Sequence, residues 1–405
     1  DVLLEGAQER DIDLRFNTEA TGFQHAPGLV TTHLRTAEGT SELRTPWVLA
    51  CDGGKSPSRE RLGIPLEGST QEEKWIVLDI VDSKVTPEMF ADFHCNGTRP
   101  VVIVPGVKGR RRYEFMLLPE DDEATIAEPA SIVELVRPYE EVSTEQIRRA
   151  AVYTAHQRIA GEYRRGRVLL VGDAAHLMPP FAGQALNAGM RDAANVAWKI
   201  ASVLRGEALE TLVDTYEVER RPHAKQMVDL SHRIGQVVMS TSPVVTTIRD
   251  VALSASGIVP PLKKYLAEMR FLSQPHYSDG VVAPVAKDVP KPVAEFVGRP
   301  IPQPVVTTAD GEVRLDRVLG TGWAAVAAVG PDQLRVTPLG RDGALVTVTR
   351  RDDLLKELGP GVTLLVRPDR YVAAAYTGAG QREALRRAAR DIPALLEWSG
   401  TTTTD

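Results

Sequence analysis

Cysteine is almost missing from this chain: Cys51 and Cys95 are the only two in 405 residues, and no CxxC pair occurs. That excludes a disulfide framework and a thiolate zinc site, so no metal is expected and a reducing cytoplasm fits. Each cysteine is expected to be a small buried apolar residue. No apolar run approaches the ~20 residues of a membrane-spanning helix, and no signal-like segment opens the chain. Charge of one sign is also not in excess. A formal net charge of −6, from 48 Lys and Arg against 54 Asp and Glu, gives no electrostatic case for nucleic acid. Aromatic residues make up only 5%, yet 43% of the chain is hydrophobic, enough for two or three domains with their own cores.

What is present is concentrated in GRVLLVGDAAHLMPPFAGQALNAGMRDAANVAWKI, from Gly166 to Ile200. Val168 to Val171 read as a buried strand that delivers Gly172 and Asp173 at its carboxyl end. A carboxylate there accepts hydroxyl donors, and Gly172 lets the backbone pass close to a ligand. Pro179 and Pro180 stiffen the next turn. From about Gln184 the apolar positions Leu186, Met190, Ala193, Ala194, Ala197, Ile200, Ala201 and Leu204 follow helical spacing, with Arg191, Asp192, Asn195 and Lys199 off that stripe. Gly206 is placed to end the helix. The amides of Gly183 to Asn187 then lie at its positive end, where negative charge is favoured. A hydroxyl acceptor followed by such a helix end suits the ribityl chain and the anionic pyrimidine edge of a reduced flavin.

Upstream, PWVLACDGGKSPSRERLGI holds a second strand, turn and helix. Trp47 to Ala50 form the strand, Gly53 and Gly54 the turn, Ser56 the N-cap and Pro57 the first helical residue, with Gly63 at the end.

The Gly166–Ile200 run resembles the second FAD motif of the class A flavoprotein aromatic hydroxylases. Asp52, Gly53, Ser56 and Arg59 stand in the DGxxSxxR arrangement that these enzymes place near the pyrophosphate and the nicotinamide route. Thr98 to Asp122, Val152 to His176 and Leu364 to Tyr376 are similar to the 3-(3-hydroxyphenyl)propionate hydroxylase branch. The resemblance implies that NAD(P)H, NADH or NADPH, reduces FAD, that molecular oxygen adds to form a flavin C4a-hydroperoxide, and that its distal oxygen passes to a phenolic aromatic substrate. It implies cofactor contacts from Asp52, Gly53, Arg59, Gly172, Asp173, Pro180, Gly183, Gln184, Ala185, Leu186 and Asn187, with the Pro180 carbonyl near the reacting edge. Met178 and Phe181 are expected to wall the substrate pocket. The residue that activates the substrate hydroxyl is unassigned. His176 reads as structural. Of Arg110, Arg111 and Arg112, at least two read as a solvated hairpin end, leaving room for one to pair with a substrate carboxylate. His223 and His232 read as surface or satisfied helix residues.

Three departures from the family pattern stand out. Gly183, Gln184 and Ala185 replace a GQG turn, and a helical conformation there tolerates alanine. Asn96 replaces the acid that usually follows the cysteine of the substrate sheet. The GxGxxG turn that cradles the ADP half of FAD is missing from residues 1 to 45, and VLLEGAQERDIDLRF reads as a helix end followed by a strand, so the chain looks entered midway through a domain, short of roughly a hundred residues. Gly320, Gly322 and Ala325 imitate the motif, but a strand follows them.

The expected fold combines α/β and α+β parts. An FAD-binding Rossmann-like domain, incomplete at its N-terminus, occupies residues 1–69 and 151–240. An inserted antiparallel-sheet substrate domain occupies 70–150, meant to cover the flavin ring and present the substrate, with a helix in PASIVELVRPY. A helical segment and Pro-rich linker fill 241–290, and a thioredoxin-like domain 291–398 closes the chain. With no cysteine, that last domain is excluded from thiol chemistry and is assigned packing or oligomer formation, a homodimer being one assembly it allows. Two rival functions stand beside this one: a monooxygenase of larger polyketide-type aromatics, and a catalytically incomplete fragment acting as an interaction module.

Overall fold

The computed structural model describes residues 2–85, 91–179, 183–267, 270, 272, 274–330, 333–338, 344–348, 358–359, 361–378 and 381–392. Pro180 and Phe181 lie outside these. The chain forms two compact units, residues 1–67 with 160–176, and residues 68–159 with the rest. No helix among the described residues is long and apolar enough to cross a membrane.

In the first unit, Glu19–Ala26, Leu29–Thr36 and Gly39–Thr45 form an antiparallel meander. Val30, Thr32 and Leu34 alternate inward, as a half-buried strand requires. Beside it is a parallel pair: Val168–Leu170 runs alongside Val48–Ala50, with Arg164–Arg165 on its other edge. All three residues of Val168–Leu170 are fully buried, the pattern of a strand covered on both faces. The guanidinium groups of Arg164 and Arg167 lie 4.9 and 4.7 Å from the Trp47 ring. The helix expected at the start is Val2–Gln8, but the strand expected in DIDLRF is not formed, and the next strand begins at Glu19. Ile12, Leu14 and Phe16 are exposed, because alternation alone makes no strand without an edge to pair with.

The second unit carries a six-stranded sheet, in the order His176–Leu177, Ile147–Ala160, Leu66–Ile80, Arg111–Met116, Val101–Pro105, Asp92–His94. The points that divide the two units fall inside or at the ends of the first three of these strands. The border expected at 150/151 falls within Ile147–Ala160, whose alternation continues without a turn residue across it. One sheet face, with Ile76, Leu78, Ile103, Tyr113 and Phe115, packs against Ile132 and Val136 of the helix Pro129–Val136. The opposite face, with Trp75, Val102 and Met116, packs against Ile234 and Met239 at the end of the helix Thr211–Val238. A seven-stranded sheet closes the unit, and its strands, from Gly311–Arg314 at one edge to Val372–Thr377 at the other, pair antiparallel throughout.

Three expectations are corrected here. The Pro-rich end of 241–290 is not a free linker: Val281, Ala283 and Val289 are buried in core clusters with strands of the seven-stranded sheet, so apolar spacing outweighs proline content. The cysteines are not buried, since Cys51 is exposed and Cys95 half-buried, each next to a strand end. The largest correction concerns the helix Gln184–Leu204, which turns its apolar stripe outward. Leu186 and Met190 are 75% and 63% exposed, whereas Asp192, Asn195 and Lys199 are buried.

The reason is a cluster of matched charges. Glu219 takes both Arg367 Nη1 and Nη2 at 2.8 Å, Lys199 Nζ at 2.8 Å, Asn195 Nδ2 at 2.6 Å and the Val281 amide at 2.7 Å. Asp369 also pairs with Arg367, at 2.6 Å, and Asp192 with Arg220, at 2.7 Å. Three acids thus meet three bases, and a polar stripe becomes an interior because every charged member is paired.

Candidate functional site

Both strands of the parallel pair end in glycine-acid turns, and one arginine joins them. After Val48–Ala50, Asp52 folds back on its own loop: its Oδ1 accepts from Ser56 Oγ at 2.5 Å and its Oδ2 from the Ser58 amide at 2.9 Å. Burial would raise the Asp52 carboxyl, but these hydrogen bonds from Ser56 and Ser58 outweigh it and hold the pKa below the usual carboxylate value. Ser56 Oγ accepts from the Arg59 amide at 3.0 Å, so it caps the helix Pro57–Arg61 as expected, and Pro57 is the first helical residue. The buried Arg59 side chain donates Nη1 to the carbonyls of Gly54 and Ala174, both at 3.1 Å. Arg59 therefore clamps the DGG turn to the GDA turn.

After Val168–Leu170, Gly172 takes φ +62°, and Gly172–Ala174 makes one 3₁₀ turn that leaves the Asp173 carboxylate exposed. Ligands in α/β sheets bind beyond the carboxyl ends of parallel strands, where Asp173 stands. Gly53 has φ +78° and nothing within 4 Å of where a Cβ would lie, so its backbone is open to close approach. His176 is fully buried, its ring 6.3 Å from that of Tyr163, as a structural residue would be.

In the second unit, Gly183 sits at φ +60° as the N-cap of Gln184–Leu204, with no side-chain cap and nothing within 4 Å of its virtual Cβ. Gly183 itself supplies no capping side chain, and Leu186 and Asn187 in the first turn are exposed. Ala185 is accommodated within the helix, half-buried against the Met178, Ala188, Met227 and Val228 cluster. Met178 belongs to that core and is not among the residues that line the cavity described next.

That cavity, of about 890 Å³, lies between the sheet and the end of the helix Thr211–Val238. Trp75, Met116 and Met239 give it an apolar wall, Gln157 and His232 add polar groups, and Glu72, Glu73, Lys74, Asp121 and Glu123 also line it. Sequence reasoning missed these residues. A glutamine in the apolar end of a strand, as Gln157 stands in HQRIA, was the available signal. The hairpin arginines divide: Arg112 makes two bonds to Asp79, at 2.8 and 3.1 Å, Arg111 lies 5.9 Å from the Tyr113 ring, and Arg110 is exposed. Asn96 Oδ1 accepts from the amides of Thr98 and Arg99, so it holds a turn. His223 is buried and His232 half-buried.

Residues 1–231 match the family described as FAD binding domain, and residues 294–393 the one described as aromatic-ring hydroxylase, C-terminal. The chain belongs to the class A FAD-dependent aromatic hydroxylases. Its relatives place it in the 3-(3-hydroxyphenyl)propionate hydroxylase-like branch. A 3-(3-hydroxy-phenyl)propionate/3-hydroxycinnamic acid hydroxylase of Burkholderia cenocepacia (strain HI2424) is 43% identical over 318 residues, 78% of this chain and 57% of that protein. A second enzyme of this name, from Burkholderia vietnamiensis (strain G4 / LMG 22486), is 39% identical over 403 residues, 91% of this chain and 73% of the relative. The chain thus spans 57% of the length of the first of these relatives. Among solved structures, an aklavinone-11 hydroxylase with FAD and aklavinone aligns with TM-score 0.73 and 23% identity, covering 98% of this chain and 77% of that one. An anhydrotetracycline hydroxylase from Streptomyces rimosus aligns with TM-score 0.72 and 24% identity, covering 96% and 78%. These two likenesses establish the fold.

Proposed function

We propose that this aromatic hydroxylase chain binds FAD and serves an NAD(P)H-dependent monooxygenase that hydroxylates a phenolic aromatic. The observation that carries this reading is the pair of glycine-acid turns held together by Arg59 at the carboxyl ends of two parallel strands. The residues present fit a flavin. In the first unit Asp173 offers an exposed acceptor to ribityl hydroxyls, and Gly53 and Gly172 allow close backbone approach; in the second, the positive end of the helix Gln184–Leu204 is of a kind that suits an anionic ring edge. Asp52, bonded within its own loop, and Arg59, which joins the two turns, act by positioning the glycines. When bound, the flavin supplies electron transfer from NAD(P)H and activation of oxygen, chemistry that no side chain provides. The chain's part is to hold the aromatic ring in the cavity walled by Trp75, Met116 and Met239 and to keep water from it.

A second reading, a larger polycyclic aromatic substrate, is favoured by the cavity volume of about 890 Å³, several times that of a single ring. A thioredoxin-like C-terminal part is supported by the helix Gln381–Asp391, whose Ala384 and Ala388 pack on Leu365, Ala373 and Tyr376. The antiparallel pairing of Ala324–Ala328 with Gln333–Pro338 departs from the parallel pair usual in such folds. A cytoplasmic setting accords with two unbridged cysteines. Flavin titration followed by fluorescence tests the reading. Asp173→Ala should weaken FAD binding about 10- to 100-fold through loss of charge-assisted hydrogen bonds. Unchanged affinity, or no incorporation of labelled oxygen into any phenol by the FAD-loaded enzyme, would overturn it.

A further inference from the structure

The polar lining of the cavity is one-sided. Four carboxylates, of Glu72, Glu73, Asp121 and Glu123, face one lysine, Lys74, and one histidine, His232. The lysine is already committed to Glu123. Asp121 is held by Arg99, whose Nη2 lies 2.9 Å from its Oδ1. Among the described residues that line the cavity, no lysine or arginine is left for an anion. Glu72 and Glu73 are exposed, so their charge stands in solvent at the entrance. An aryl carboxylate entering here meets like charges at a range where salt screening is incomplete.

The inner polar group suits a phenol. Gln157 is 8% exposed, its Nε2 donates to Ser69 Oγ at 2.7 Å, and its Oε1 has no hydrogen-bond partner among the described residues. An unfilled buried acceptor is satisfied by an O–H donor, which a phenol brings whether or not it also carries a carboxylate, so Gln157 accounts for the phenol and the charged lining alone for discrimination against a second, anionic substituent. His232 Nδ1 is likewise buried without a partner among the described residues.

We propose that this cavity selects phenols whose other substituents are uncharged and discriminates against arylpropionates. The inference rests on reading the cavity as the aromatic-binding site. Its carboxylates act as a negative collar, and Gln157 as the group that takes the hydroxyl proton donor. A relative named for 3-(3-hydroxy-phenyl)propionate is 43% identical to the chain, so the collar would mark a divergence in substrate charge within the branch.

The test is calorimetric titration of the purified chain, with oxidised FAD in cell and syringe, using 3-(3-hydroxyphenyl)propionate and its alcohol analogue 3-(3-hydroxyphenyl)propan-1-ol. At about 20 mM salt the alcohol should bind about tenfold more tightly or better, and the gap should narrow about threefold or more at about 500 mM salt. The double variant Glu72→Gln/Glu73→Gln, altered only at exposed side chains, should narrow the gap in the same way at low salt. Acid binding as tight as alcohol binding, or a gap unmoved by the double variant, overturns the charge inference. Gly235→Leu tests the site itself, because Gly235 lines the cavity and lies within a helix that leucine suits better than glycine. Loss of alcohol binding in that variant supports the site. Alcohol binding unchanged by Gly235→Leu, or absent from the parent, overturns the site reading and the charge inference with it.

Discussion

Arg367→Met removes the central cation of the buried cluster and provides the strictest test of it. Arg367 is fully buried, makes two 2.8 Å bonds to Glu219 and two, of 2.6 and 2.9 Å, to Asp369, and lies 5.1 to 5.6 Å from the rings of Trp198, Tyr277 and Tyr371. Methionine keeps much of the apolar volume but leaves three acids against two bases in an interior that water does not reach. Breaking a buried ion pair by removing one partner costs about 3–5 kcal/mol. The ring contacts add up to about 2 kcal/mol where the cation is desolvated, and the methionine side chain recovers part of that loss. Arg367→Lys should fall between, because the charge remains while the two-pronged geometry is lost. Urea denaturation followed by far-ultraviolet circular dichroism measures both variants against the parent. A loss below about 1 kcal/mol for Arg367→Met would be the size of an exposed salt bridge and would refute the account of a closed, matched cluster.

Other expectations follow from single groups. Burial, opposed by Glu219, holds Lys199 down at about 8 from 10.5, so the folded chain binds fewer protons than the unfolded chain between those values. Stability should therefore rise with pH across that window, by about 3 kcal/mol at most, and Lys199→Met should flatten the rise; a flat profile in the parent refutes this. Glu219 behaves oppositely: burial alone would raise it, but Arg367 and Lys199 bring it from 4.5 down to about 2, so its contribution is present above 4.5 and disappears as pH falls toward 2. Ser56→Ala removes the helix cap and one bond to Asp52, and thermal unfolding should show a loss of about 1–2 kcal/mol. Asp52→Ala and Asp173→Ala should separate cleanly: the first lowers stability by about 1–3 kcal/mol, the second changes it by less than about 0.5 kcal/mol while weakening FAD binding. Equal stability losses in the two would remove the distinction between a bonded carboxylate and an open one.

Local features were legible in the sequence. Ser56, Pro57 and Gly63 bound a short helix because capping, a fixed φ and a left-handed stop are properties of those residues and their immediate neighbours. The strand before Gly172, the helix start at Gln184 and the antiparallel pairing of the inserted sheet are likewise carried by short-range pattern. The burial direction of Gln184–Leu204 was not legible. Its apolar residues describe a credible stripe, and the charges that draw its other face inward lie on residues 20 to 174 positions away. The same distance hid Arg59, whose bond to the Ala174 carbonyl spans 115 positions.

The sequence by itself determined the elements, their caps and the two glycine-acid turns, because those depend on interactions within a few residues. Tertiary structure alone decided which side chains became interior. Burial of a charge is favourable only when its partners arrive with it, and those partners come from separate strands and helices. That pairing set the Glu219 cluster, converted Asp52 and Arg59 from open groups into bonded ones, and left Asp173 and the collar of Glu72 and Glu73 facing solvent.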